Sequence, residues 1–170
     1  HKLKIPSDLQ NLNRVEKFVE EICDYYNITD LYFGNILTAL TESVSNAIIH
    51  GNKSDKTKHV DISAEFIEGG LSFTIKDEGD GFDYNRIPDP TEFVEDCKTG
   101  RGLFIMSSLS DNLEFKNNGN VVVMKFEISG LDENIIKNRI NKMSKYAGIK
   151  PHRQLSSKKK QDWVFFNNEK

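Results

Sequence analysis

The stretch "LTESVSNAIIHGN", Leu40–Asn52, decides how this chain is read. Its apolar spacing is that of the end of an amphipathic helix, yet it sets Glu42, Asn46 and His50 four residues apart and then stops at Gly51. At ~100° per residue, a four-residue step turns a side chain by only ~40°, so a carboxylate, an amide and an imidazole share one slanting stripe. Alone, such a stripe reads as a solvated helix face. Gly51 fits the left-handed position that commonly closes a helix.

Upstream, "KLKI" (Lys2–Ile5) is a short strand candidate. Ser7 or Asp8 can cap a helix running to about Tyr26, with Leu12, Val15, Val19, Ile22 and Tyr26 at helical spacing. "NITD" makes a turn, and Thr29 is the N-cap candidate for the helix that ends at His50-Gly51. Downstream, Val60, Ile62, Ala64 and Phe66 alternate along one strand; after a turn at Gly69-Gly70, so do Leu71, Phe73 and Ile75. A long aperiodic segment, Glu78–Thr99, then leads into "GRGLFIMSSL", a helix packing Leu103, Met106 and Leu109. "DNLEFKNNGNVVVMKFEIS" reads as a hairpin turning at Asn118-Gly119-Asn120. The order predicts an α+β two-layer sandwich, a mainly antiparallel sheet with helices on one face.

Bulk numbers bound the function. A chain of 170 residues, 37% hydrophobic and 29% charged, is expected to be a soluble globular protein. Its net charge of −3 argues for neither nucleic acid nor membrane as a partner. Residues 131–170 hold ten Lys or Arg against four Asp or Glu, a balance of +6, which leaves −9 on residues 1–130. Two domains are expected accordingly: 1–130, and a basic extension 131–170 with a helix over Leu131–Tyr146 and a Lys-rich tail read as solvated. Cys23 and Cys97 show no metal spacing, and no signal peptide or membrane span is legible, so a reduced, cytoplasmic setting is the expectation.

Continuing the alternation Leu71, Phe73, Ile75, the next inward position is Asp77, in "IKDEGDGFD". A carboxylate there needs a donor. Two readings stand: an Asx turn bonding its own backbone, or a pocket floor offering an acceptor to a ligand's exocyclic amine, with Gly79 and Gly81 letting the chain approach that ligand. At the segment's far end, Gly100 and Gly102 open a helix, whose free N–H groups favour phosphate. The loop between has a length usual for lids or disorder. No G-x-x-x-x-G-K-[ST], Rossmann glycine triplet, H-R-D or H-E-x-x-H occurs.

Together, "TESVSNAIIHGN", "DEGDGFD" and "TGRGLFIMSSLSDNLEF" resemble the three motifs of the GHKL-type (Bergerat fold) ATP-binding proteins: gyrase, the heat-shock protein of ninety kilodaltons, histidine kinases and MutL. Within that group the chain looks most like the bacterial anti-sigma factor serine/threonine kinases, over roughly residues 1–130. The resemblance implies ATP and Mg²⁺. It implies that Asn46 gives its oxygen to the metal, Glu42 is the general base, and Asp77 accepts from the adenine amine with Gly79 and Gly81 against the ring. Gly100, Arg101 and Gly102 fall at the phosphates, and Thr99 and Leu103 complete the nucleotide-binding set. His50 either shapes the rim or packs; Lys98 is either a phosphate neighbour or a loop charge.

Two functions of different classes follow. One is a kinase that phosphorylates a STAS-type anti-anti-sigma protein and sequesters a sigma factor; the other is a nucleotide-dependent clamp that transfers nothing. A detached histidine-kinase catalytic domain is a third, opposed by the missing phosphoacceptor hairpin. Family members are often homodimers, for which an edge strand or the apolar face of the extension could serve.

Overall fold

The computed structural model describes residues 1–84 and 101–131, with Asn134, Asn138 and Asn141 beyond them. Strand β1 (Lys2–Pro6) leads through a 3-10 turn into α1 (Leu12–Tyr26), and α2 (Asp30–Asn46) follows. A π-helical turn, Ala47–Gly51, extends α2. Strands β2 (His59–Ile67) and β3 (Gly70–Lys76) come next, then α3 (Arg101–Leu109), β4 (Asn112–Lys116) and β5 (Val121–Glu127).

Local chemistry sets the helix ends. The Asp8 carboxylate accepts from the Gln10 N–H and caps the 3-10 turn before α1. Asn27, at φ 53°, closes α1 in the left-handed region. Thr29 precedes α2 in extended backbone but makes no side-chain cap bond.

The five strands form one antiparallel sheet in the order β1-β2-β3-β5-β4. The expected α+β sandwich is present. Ile5, Ile62, Phe73, Ile75, Met124 and Phe126 line its inner face and pack with Val15, Val19 and Ile22 of α1, Ile36, Leu40 and Val44 of α2, and Met106 of α3. The other face is mainly polar around the buried Val121 and Val123: Lys4 pairs with Asp61 at 3.7 Å and Lys125 with Glu114 at 3.5 Å. A solvated second face is usual for antiparallel sheets.

Both hairpins lie where the sequence puts them. Ile67 pairs with Gly70 around Gly69 at φ +76°, and Lys116 pairs with Val121 around a turn in which Asn117, Asn118 and Gly119 all have positive φ. The end of the long helix differs from expectation. Asn52 N–H bonds the Ala47 carbonyl at 2.8 Å, an i to i+5 bond that widens the last turn. Gly51 therefore sits inside the π turn, and it is not among the glycines with positive φ. Of the helix expected over Leu131–Tyr146, Asn134, Asn138 and Asn141 are helical and exposed; the rest, and the Lys-rich tail, lie outside the described residues.

Candidate functional site

Glu42 and Asn46 lie one α-helical turn apart, both half-buried. Ser43 and Val44 between them point into the core, which fixes the rotation of α2. Facing the pair is Gly102, buried in the first turn of α3. A Cβ on Gly102 would strike Glu42 Oε1 and lie 3.1 Å from Asn46 Nδ2. The third motif is thus seated on the first with room for hydrogen only.

One turn further along, the π turn meets Asp77. A Cβ on Gly51 would lie 2.6 Å from both Asp77 carboxylate oxygens, and one on Gly79 would lie 2.6 Å from the Gly51 carbonyl carbon. Gly51 is glycine because the Asp77 carboxylate and the Gly79 backbone occupy its Cβ space, not because of a left-handed cap. Gly79 has the same kind of cause, since the Gly51 backbone fills its Cβ space; Gly81 packs on the Asn118 carbonyl and also has left-handed backbone, φ +78°.

Asp77 is 6% exposed, on the inner side as the alternation requires. Its carboxylate makes the Asx turn. Oδ1 accepts the Gly79 N–H at 2.8 Å, an Asx turn, while the group faces the end of α2. Burial pushes its pKa above the ordinary carboxylate value; the Gly79 N–H and the Lys58 charge pull the other way.

The remaining candidates are placed less tightly. His50 is exposed in the π turn, so the stripe of three splits into a facing pair and a rim residue. Arg101 is exposed at the start of α3, and Leu103 is half-buried against the hydrophobic core. Lys98, Thr99 and Gly100 lie outside the described residues.

The sequence reading missed Asn52. Its carboxamide is fully buried, donates to Ser7 Oγ at 2.7 Å and to the His59 carbonyl at 2.8 Å, and accepts the Glu78 N–H at 2.8 Å. Asn52 follows Gly51 outside any periodic run, so nothing in the pattern marks it as interior.

A buried acceptor on the floor, a glycine-lined seam and the start of a nine-residue helix over a carboxylate–amide pair suit a nucleotide. The family model for the histidine kinase-like ATPase domain matches residues 5–126. The chain belongs to that family. This histidine kinase-like ATPase domain is therefore a nucleotide-binding domain. It is 38% identical over 97 residues to the anti-sigma F factor of Clostridium perfringens, covering 54% of this chain and 69% of that one. It is 35% identical over 100 residues to the anti-sigma F factor of Geobacillus thermodenitrificans, covering 55% and 68%. It is 25% identical over 128 residues to the serine-protein kinase RsbW of Bacillus subtilis, covering 71% and 80%. The ATPase domain is homologous to these proteins. Among its described residues no helix is long and apolar enough to cross a membrane.

Proposed function

We propose that the chain is an ATP-dependent protein serine/threonine kinase and anti-sigma regulatory factor whose substrate is a STAS-type anti-anti-sigma protein. The observation that carries this is the seating of Gly102 on Glu42 and Asn46, which puts a carboxylate and an amide at the start of α3. Homology to a protein named as a serine-protein kinase and to anti-sigma F factors supports the substrate class.

In this reading Glu42 accepts the proton of the attacking hydroxyl as its oxygen bonds the γ-phosphorus and the bond to the ADP oxygen breaks. Asn46, beside Gly102, would give its side-chain oxygen to Mg²⁺, a hard ion suited to oxygen donors. Bound Mg²⁺ supplies charge neutralisation at the phosphates. Asp77 accepts from the adenine amine, and Arg101 with the first N–H groups of α3 holds phosphate.

Glu42→Gln keeps shape and removes the base, so it leaves ATP affinity nearly intact and slows radiolabelled transfer to the antagonist by roughly a hundredfold or more. Asn46→Ala weakens Mg²⁺-ATP binding and transfer together. Wild-type transfer rates in Glu42→Gln would reduce Glu42 to a spectator. A wild-type chain that binds ATP and its antagonist yet transfers nothing would be a clamp.

A further inference from the structure

Asp77 is useful as a base reader only if its carboxylate stays put, and its backbone is held from both sides. On the N-terminal side its own N–H bonds the Asn120 carbonyl at 3.1 Å. On the C-terminal side the next peptide N–H, that of Glu78, bonds Asn52 Oδ1 at 2.8 Å. With both flanking peptides fixed, the Cα–Cβ direction of Asp77 is fixed, and the Gly79 N–H sets the carboxylate's rotation. Asn120 belongs to the β-sheet end, but Asn52 does not. It sits at the end of the π turn, and its two donor bonds tie it to Ser7 after β1 and to His59 at the start of β2.

We propose that Asn52 is a positioning residue for nucleobase choice: its side-chain oxygen fixes the peptide that follows Asp77, while its two donor bonds anchor Asn52 itself. The proposal rests on the reading of Asp77 as the adenine acceptor. A carboxamide is suited to this place because it accepts from Glu78 with one end while donating twice with the other, from a side chain that is itself fully buried. Loss of the acceptor leaves the Glu78 N–H unpaired and frees the peptide to turn, which moves the Asp77 carboxylate off the line of the adenine amine. Guanine offers a carbonyl there, so its binding does not depend on that line.

The test compares Mg²⁺-ATP with Mg²⁺-GTP by calorimetry at one fixed pH, on variants whose fold is checked by circular dichroism. Asn52→Ala removes the acceptor; ATP affinity is expected to fall about tenfold, with GTP affinity within about twofold of wild type. Asn52→Asp keeps an acceptor for Glu78 and loses the donors, so it is expected to be less stable yet to keep the preference for ATP. Ser7→Ala loosens the far end of the same network and is expected to lower stability without changing the preference. A folded Asn52→Ala with wild-type preference would overturn the proposal, as would a Ser7→Ala that erodes the preference equally. Should Asn52→Ala not fold, Asn52→Asp decides: a folded variant without the preference overturns the proposal. Equal affinity of the wild type for ATP and GTP would instead defeat the Asp77 reading itself, and the proposal with it.

Discussion

At Asp77 one group gives two pH slopes of opposite sign. Burial raises its pKa in the folded chain, so the folded state holds that proton more tightly than the unfolded state does. Between the ordinary carboxylate value and the raised one, stability falls as pH rises; the ionised group is a cost above that window. Accepting an amine needs the ionised form, so ATP affinity falls as pH drops through the same window. Urea midpoints and calorimetric ATP affinities, taken from about pH 7 to about pH 4, are expected to move in these opposite directions. Asp77→Asn should flatten both relative to wild type and reduce the ATP preference, because a carboxamide can donate to the guanine carbonyl. A wild-type ATP affinity independent of pH would remove Asp77 from the base contact. This residue was legible in the sequence because strand alternation has a period of two and runs one step past the strand's end. Asn52 was not: its importance comes from three partners distant in sequence, and no local period encodes them.

At the scale of elements, the glycines separate into two kinds by what blocks them. The Cβ of a Gly102→Ala variant would meet the end of the Glu42 side chain, which can swing away. Little stability is at risk, but the displaced carboxylate is the proposed base. Gly102→Ala is expected to shift the urea midpoint by less than about 1 kcal/mol equivalent while lowering phosphotransfer at least about tenfold. Gly79→Ala would drive a methyl into the Gly51 backbone, which cannot step aside, and should cost about 1–3 kcal/mol or more. Equal stabilities for the two variants would contradict this division. The three helices, the two hairpins and the inner faces of β2 and β3 followed from periodicity and turn chemistry. The π turn did not, because one extra residue per turn leaves the apolar spacing of Leu40, Val44 and Ile48 readable as α-helix. The role given to Gly51 failed for that reason.

At the scale of the whole molecule, His1–Leu131 form a compact unit that contains every described residue of the site. Leu131 packs on the core, and its N–H bonds the Ile128 carbonyl at 3.1 Å. We expect a chain ending after Leu131 to bind ATP with wild-type affinity; a folded truncation without binding would place residues 132–170 in the pocket. The sheet order has one more consequence, in time rather than in space. The β2–β3 hairpin is local, but β3 pairs with β5, from Gly70↔Glu127 to Lys76↔Val121, only after a long stretch of intervening chain has been closed. The Asn120 carbonyl that fixes Asp77 arrives with β5. We expect the nucleotide to meet a surface finished late on the folding route. Saturating Mg²⁺-ATP is expected to slow unfolding while leaving the refolding arm of the chevron unchanged. A faster refolding arm in stopped-flow urea jumps would mean that the floor exists before the central strands have met.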